Sequence, residues 1–180
     1  MKKSSTFVAV LLLSGMTAWA QTFTLKSSDL GGQATQKQFA NAFGCTGENL
    51  SPQLSWENAP EGTQSFAVTI YDKDAPTGSG FWHWVIFNIP ATVKELKTGA
   101  GDPSKGLAPK EAIQSITDAG APGFIGSCPP VGHGPHQYLI TVYALKTKLN
   151  LDKNASPAYV GFNLFGATLA KASIVYYAQR

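Results

Sequence analysis

Two apolar segments joined by a short polar turn constrain the fold of this chain more than any other feature. The first reads SFAVTIY at Ser65–Tyr71, and its alternate side chains are fairly apolar on both faces of an extended strand. The second is the apolar run that ends at Pro90, after a turn rich in Gly and Ser. Strands that are apolar on both faces are typical of the centre of a two-layer β structure. The pattern therefore predicts a strand, a loop and a strand in a mainly β fold.

Three polar side chains, Asp72, Asp74 and His83, interrupt these segments. Because side chains alternate along a strand, the two aspartates project to one side where the first strand ends, and His83 enters the second strand between two tryptophans. Aspartates are rarely buried without a partner, and the loops of a β-sandwich gather at its ends. The spacing favours a small polar pocket there. The alternative is that both aspartates only cap backbone groups of the turn.

The second half of the chain predicts two further strands and two helices. His136–Leu145 has the pattern of a strand, which places His136 and Tyr138 on the same face. The last strand is predicted over Ser173–Ala178. Apolar residues at helical spacing predict a short helix over Pro109–Thr117 and a longer one over Ala158–Lys171.

The first twenty residues have the pattern of a secretory signal peptide. Lys2 and Lys3 form a basic start, Phe7–Leu13 forms an apolar core, and Ala18-Trp19-Ala20 is a small-x-small cleavage site. The apolar part is too short to cross a membrane, and no nearby cysteine is available for a lipid anchor. We therefore expect a signal peptide at 1–20 and one soluble domain at 21–180, periplasmic or secreted, with no transmembrane segment. A retained amphipathic helix at 1–20 is the alternative.

The charge balance argues against one class of partner. The chain has 14 basic and 11 acidic residues, and two of the basic ones lie in the signal segment, so the exported part is close to neutral. No block of Lys and Arg occurs, and the aromatic residues lie in apolar runs rather than among basic residues. These patterns predict that the protein does not bind nucleic acid.

Cys45 and Cys128 are the two cysteines of the chain. An exported protein enters an oxidising compartment, and we predict that the two form a disulfide bond. On the chain-entropy model, closing a loop of this length stabilises the fold by about 4 kcal/mol. The alternative is two buried free thiols that act as small apolar residues.

Two motifs, taken in order, resemble the phosphatidylethanolamine-binding protein family. The first is Asp72-x-Asp74-x-Pro76 followed by His83-Trp84 and Asn88-Ile89-Pro90, and the second runs from Cys128-Pro129-Pro130 to His136-Gln137-Tyr138. The resemblance covers essentially the whole exported chain and is strongest to the short bacterial branch called Raf-kinase-inhibitor-like. Lys73 stands where the family usually has Pro, and Gln137 where it usually has Arg, which changes the charge at the pocket rim.

The resemblance implies a β-sandwich of two antiparallel sheets with a few short helices and a small anion-accepting cavity at one edge. By position, the implied ligand-binding residues are Asp72, Asp74, His83, Pro129, Pro130, His136 and Tyr138, with Asp74 supporting the loop. Imidazole and phenol groups can hold the oxygens of phosphate, sulfate or carboxylate. The implied function is a non-enzymatic binding protein for a small anion or phosphorylated head group, with no cofactor, metal or catalytic residue. A protein partner and a homodimer are further expectations from the same resemblance.

Two other functions remain open from the sequence. Asp72, His83 and His136 offer two imidazoles and a carboxylate, which can bind zinc in a metal-dependent hydrolase. His133 adds a spacing that suits this idea, but it lies in a Gly/Pro loop with no helix to align the rings. The second alternative is an extracellular protein-interaction module, such as a protease inhibitor, because an anion pocket can also recognise a phosphorylated or acidic loop.

Overall fold

The computed structural model describes residues 21–180, and the predicted signal peptide at 1–20 lies outside this range. The strands are β1 (Thr24–Lys26), β2 (Leu54–Glu57), β3 (Ser65–Asp72), β4 (Phe81–Pro90), β5 (Glu95–Leu96), β6 (Ile113–Gln114), β7 (His136–Leu145) and β8 (Thr168–Ala178). Helix α1 spans Pro157–Ala167, and a 3-10 turn spans Pro103–Lys105.

Two antiparallel sheets form the layers of a sandwich. The larger has the strand order β6-β4-β3-β7-β8 and the smaller has the order β1-β2-β5. Strand β3 lies at the centre of the larger sheet, and all of its residues except Tyr71 are buried. The prediction of a mainly β sandwich of two antiparallel sheets is confirmed.

Apolar packing on both faces of the larger sheet explains the sequence of β3. Phe66, Val68 and Ile70 belong to the main core, which also contains residues of the smaller sheet. Ala67, on the opposite face, belongs to a second core, to which α1 contributes residues such as Leu164. A strand covered on both faces needs apolar side chains at nearly every position.

Helix α1 starts and stops at residues that satisfy its free backbone groups. Ser156 is the N-cap, and its hydroxyl accepts a hydrogen bond from Tyr159 N–H. At the other end, the backbone N–H and the hydroxyl of Thr168 both donate to Leu164 O. The predicted helix over Ala158–Lys171 therefore exists but ends earlier, because the chain from Thr168 pairs with β7 and starts β8 there rather than at Ser173.

The short helix predicted over Pro109–Thr117 is wrong. Ile113 and Gln114 form β6, which pairs with the β4 residues Phe87 and Ile86. The indole N–H of Trp84 also donates to Gln114 Oε1 at 2.7 Å. Pairing with β4 overrides the helical spacing of the apolar residues.

The antiparallel pairing brings the two sequence motifs to the same end of the larger sheet. Asp72, at the end of β3, lies opposite Phe81 of β4 and Tyr138 of β7. We call this the loop end of the sandwich. Helix α1 packs on the face of the larger sheet away from the smaller sheet, and its last residue, Ala167, accepts a hydrogen bond from Lys146 N–H beyond the other end of β7. We call this part of the molecule the helix end.

Candidate functional site

A cavity of about 190 Å³ opens at the loop end. Its polar wall consists of Asp72, His83, His136 and Tyr138. The rest of the lining comes from Phe43, Ala75, Pro76, Thr77, Phe81, Gly126, Cys128, Pro129 and Pro130. A few convergent polar groups in a largely apolar wall are typical of sites for small molecules.

Asp72 and His136 form a buried pair in the cavity wall. They are 3% and 2% exposed, and His136 Nδ1 lies 2.7 Å from Asp72 Oδ2. Because a carboxylate can only accept, Nδ1–H of His136 donates and the ring is held in one orientation. The other carboxylate oxygen, Oδ1, accepts from Asp74 N–H at 2.9 Å. Asp72 therefore caps a backbone group of the turn, as the alternative prediction from the sequence states, and it also lines the cavity.

His133 connects this pair to the surface. Its Nδ1 lies 2.7 Å from Nε2 of His136, and its side chain lies in the exposed part of the loop before β7. With the proton of His136 on Nδ1, its Nε2 accepts from His133 Nδ1–H. Asp72, His136 and His133 thus form a hydrogen-bonded line from a buried carboxylate to solvent.

His83 presents one ring nitrogen to the cavity. Its Nδ1–H donates to Ile125 O at 2.8 Å, which leaves Nε2 for a ligand. Burial lowers the pKa of His83 below the usual 6.5, although the Ile125 carbonyl and the charge of Asp72 act in the opposite direction. The imidazole is therefore neutral near pH 7, and its Nε2 is an acceptor until a proton binds.

Tyr138 carries a buried hydroxyl that makes no hydrogen bond of standard geometry among residues 21–180, although Asp72 and Ser127 lie close to it. Its ring is fully buried and stacks on Tyr176 with the ring centroids 4.9 Å apart. Burial raises the pKa of Tyr138, and the nearby charge of Asp72 adds to the effect, so the hydroxyl keeps its proton. The hydroxyl of Tyr176, by contrast, is hydrogen-bonded to Ser127 Oγ at 3.1 Å. Buried polar groups are nearly always satisfied, so the hydroxyl of Tyr138 requires an explanation.

Asp74 does not line the cavity. Its Oδ2 accepts from Gln137 N–H at 2.8 Å, and its Oδ1 accepts from Lys73 Nζ at 2.7 Å. These two bonds, that to Lys73 first, lower the pKa of Asp74. Asp74 therefore ties the loop after β3 to the start of β7, which matches the supporting position that the motif implies.

Two loops, around Cys45 and Cys128, form the mouth of the cavity. The two cysteines form a disulfide bond, so the predicted pairing is confirmed. Arg180 ties the same loops a second time: its Nε–H donates to Pro129 O at 2.8 Å and its Nη1 donates to Gly44 O at 3.0 Å. The mouth is therefore fixed by one covalent link and two hydrogen bonds.

The structure brings six of the seven predicted site residues together in the cavity wall; they are Asp72, His83, Pro129, Pro130, His136 and Tyr138. Sequence reasoning missed two aromatic residues of the lining, Phe43 and Phe81. Phe81 lies two residues before His83 in β4, so the alternation of side chains would have placed it on the same face. No pattern in the sequence marks Phe43.

The described part of the chain offers little to a metal ion. Among residues 21–180, no three His, Cys, Asp or Glu side chains converge as metal ligands would. In the proposed zinc set, Nε2 of His83 is free among the described residues, but both ring nitrogens of His136 are bonded to Asp72 and His133, and Asp72 is bonded to His136 and Asp74 N–H. Over the same range, the helices are too short or too polar to cross a membrane.

Comparison of the sequence with known proteins identifies close relatives. A family model described as phosphatidylethanolamine-binding protein matches residues 30–179, a range that contains both motifs. The UPF0098 protein YbcL of Escherichia coli K12 is 47% identical over 168 residues, which are 92% of each chain. The UPF0098 protein YbhB of the same organism is 44% identical over 153 residues, which are 83% of this chain and 96% of YbhB.

The fold is similar to that of a solved relative. The crystal structure of E. coli YbcL, described as a new member of the mammalian PEBP family, matches with a TM-score of 0.85 and 46% sequence identity. The match covers 88% of this chain and 98% of the other. The sandwich and the order of its elements are therefore shared with YbcL.

Proposed function

The chain belongs to the phosphatidylethanolamine-binding protein family, and on that premise we propose that it is an exported, non-enzymatic binding protein whose cavity holds a small anion, phosphate or a phosphorylated head group. The observation that carries the proposal is the buried hydroxyl of Tyr138 in the cavity wall, a donor that makes no hydrogen bond of standard geometry among the described residues although Asp72 and Ser127 lie close to it. Tyr138 is fully buried, so a phosphate oxygen accepts this hydrogen bond after a small shift of the wall. Binding then removes the penalty of an unsatisfied buried donor.

His83 supplies the second contact, because both ring nitrogens of His136 are bonded to Asp72 and His133. Among the described residues that line the cavity, none is Lys or Arg, so an imidazolium must balance the charge of the anion. Nε2 of His83 is available, and the field of a bound anion favours its protonated form, which donates. Asp72 holds His136 in a fixed orientation beside it. We therefore expect the anion to be taken up together with a proton.

The cavity chemistry supports binding rather than catalysis. Both cysteines are used in the disulfide bond, and the hydroxyl of Thr77 donates to Gly80 O. The other described lining residues include neither Ser nor Lys, and Asp72 and His136 are hydrogen-bonded to each other. The disulfide bond also fits the proposed export, because such bonds persist in oxidising compartments.

Thermal unfolding of residues 21–180 with and without ligand tests the proposal. A ligand that binds only the folded state raises Tm, and at a hundred times Kd it adds about 2.7 kcal/mol of stability. We expect inorganic phosphate and phosphoethanolamine to raise Tm in the wild type and to have a much smaller effect in Tyr138→Phe. Chloride at matched ionic strength is the reference salt.

Tyr159→Phe is the matched control, because Tyr159 is an exposed tyrosine of helix α1 at the opposite end of the molecule. Its response to phosphate should equal that of the wild type. Absence of any rise with phosphate compounds, or an equal rise in Tyr138→Phe, would contradict an anion site in this cavity.

A further inference from the structure

We propose that Phe43 determines which anions the cavity accepts, because its ring forms an apolar lid at the mouth that favours an anion carrying a flat apolar group over the bare ion. The class of ligand is then an aryl or similarly apolar phosphate monoester. This inference rests on the proposed function of the same cavity and concerns its selectivity.

The backbone of Phe43 is the first observation. Of the four residues other than glycine with positive φ within residues 21–180, three are asparagines and the fourth is Phe43, with φ of 56°. Asparagine adopts this left-handed conformation readily, whereas for a bulky residue it is a true outlier. Such strain persists only where the surroundings hold it, and it clusters at ligand sites.

The contacts around Phe43 are the second observation, because they show what holds the residue. The next residue, Gly44, accepts a hydrogen bond from Arg180, and Cys45 is bonded to Cys128. Arg180 is itself fixed on the other loop, since its carbonyl accepts from Gly132 N–H at 3.0 Å. The backbone that carries Phe43 is thus held at the mouth before any ligand arrives, which lowers the entropy lost on binding.

The division of the cavity wall is the third observation. The polar groups of Asp72, His83, His136 and Tyr138 form one part of the wall, and Phe43, Pro76, Phe81 and Pro129 supply apolar surface. Phe43 is 64% exposed although it lines the cavity, so its ring has unfilled apolar surface. A volume of about 190 Å³ exceeds what the five heavy atoms of a phosphate ion need. The remaining space suits an apolar substituent beside the ring.

A purely structural role for Phe43 makes a different prediction. If the ring only shields the disulfide bond, its removal changes the affinity for every ligand to the same extent. If the ring contacts the substituent, its removal changes the affinity for a substituted anion and leaves that for the bare ion unchanged. The two roles are separated by the ratio of two affinities rather than by either alone.

Isothermal titration calorimetry with inorganic phosphate and phenyl phosphate measures this ratio on the disulfide-bonded protein. We expect the wild type to bind phenyl phosphate roughly two- to tenfold more tightly than phosphate, the range that an aromatic contact supplies. Phe43→Asn should bind the two equally, with its phosphate affinity unchanged. Asparagine keeps the left-handed backbone and removes the ring. Phe162→Ala, a change to an exposed aromatic residue of α1, should behave as the wild type.

Equal binding of both compounds by the wild type overturns the inference and leaves the anion site standing. An equal loss for both compounds in Phe43→Asn also overturns it, in favour of the structural role. Binding of neither compound by the wild type overturns the proposed function itself, so the two failures are distinguishable.

Discussion

The loop end and the helix end of the sandwich differ in what holds them together. At the helix end, α1 packs Val160 and Leu164 on the larger sheet, and its free backbone groups are satisfied by Ser156 and Thr168. At the loop end, a carboxylate–imidazole pair and an unsatisfied hydroxyl are buried, and a disulfide bond joins the loops. The helix end has aromatic side chains that are largely exposed to solvent, and Phe165 is 92% exposed.

This difference indicates that the ligand binds at the loop end. Caps and apolar packing agree at the helix end, although Gly161 and Gly166 are poor helix formers. Buried polar groups and the left-handed Phe43 lower the stability of the loop end, and such departures are expected at functional sites. Four predictions test this contrast, in order of decreasing expected effect.

Removal of the disulfide bond should have the largest effect. The double variant Cys45→Ser and Cys128→Ser should lose about 4 kcal/mol of unfolding free energy, because the bond closes a long loop in the unfolded chain. Guanidinium unfolding measures the loss, with the reduced wild type as the matched sample. A loss below about 1 kcal/mol would mean that the hydrogen bonds of Arg180 fix the loop end by themselves.

The second-largest loss of stability is expected when a side chain of the second core, at the helix end, is shortened. Leu164 is 3% exposed, and Leu164→Ala should destabilise the protein by about 3 kcal/mol through lost burial and the cavity left behind. Its phosphate affinity should stay at the wild-type value, because the cavity lies at the other end of the sheet. Urea unfolding and calorimetry check the two parts. A large fall in affinity in the folded variant would contradict the independence of the ends.

Removal of the unsatisfied hydroxyl should stabilise the ligand-free protein. Tyr138→Phe deletes a buried donor without a partner, and we expect a gain of about 1 kcal/mol in unfolding free energy. Tyr176→Phe is the control, and it should lose about 1 kcal/mol because its hydroxyl is bonded to Ser127. Urea unfolding without phosphate measures both. If both variants lost stability equally, the hydroxyl of Tyr138 would be satisfied in the ligand-free protein, which would contradict our description of the site.

The pH dependence of sulfate binding should give the smallest effect. The pKa of His83 lies below 6.5 in the free protein, and a bound anion raises it, so binding takes up a proton between the two values. Affinity should therefore rise a few-fold as pH falls from about 7.5 to 6, with a limit of about tenfold per pH unit. Sulfate keeps its charge over this range. In His83→Gln the rise should be weaker, and an unchanged rise would exclude His83 as its source.

Much of the fold follows from the sequence, because local pattern and tertiary structure agree there. The alternation in β3 and β7 predicts their strands, and β3 is buried on both faces as its apolar pattern requires. Local pattern and tertiary structure disagree at Ile113. The apolar residues there have helical spacing, but the chain pairs with β4 as a strand. Pattern and structure also disagree at Thr168, where the last strand starts earlier than its residues suggest.

The candidate site was predictable only as far as its residues lie in motifs. Asp72, His83, His136 and Tyr138 stand at strand ends, and the antiparallel register brings them together. Phe43 and Arg180 are distant from these strands in sequence, and they reach the mouth only through the disulfide bond and hydrogen bonds to the loops. No local pattern encodes such contacts.

The most direct test of the central claim is the nitrogen NMR spectrum of the histidine side chains during a phosphate titration. The chain has three histidines, so each ring can be assigned by single substitution. We predict that phosphate shifts Nε2 of His83 from the unprotonated towards the protonated position while Nδ1, bonded to Ile125, changes little. Phosphate binding that is detected by calorimetry but leaves the nitrogens of His83 and His136 unchanged would contradict an anion site in this cavity.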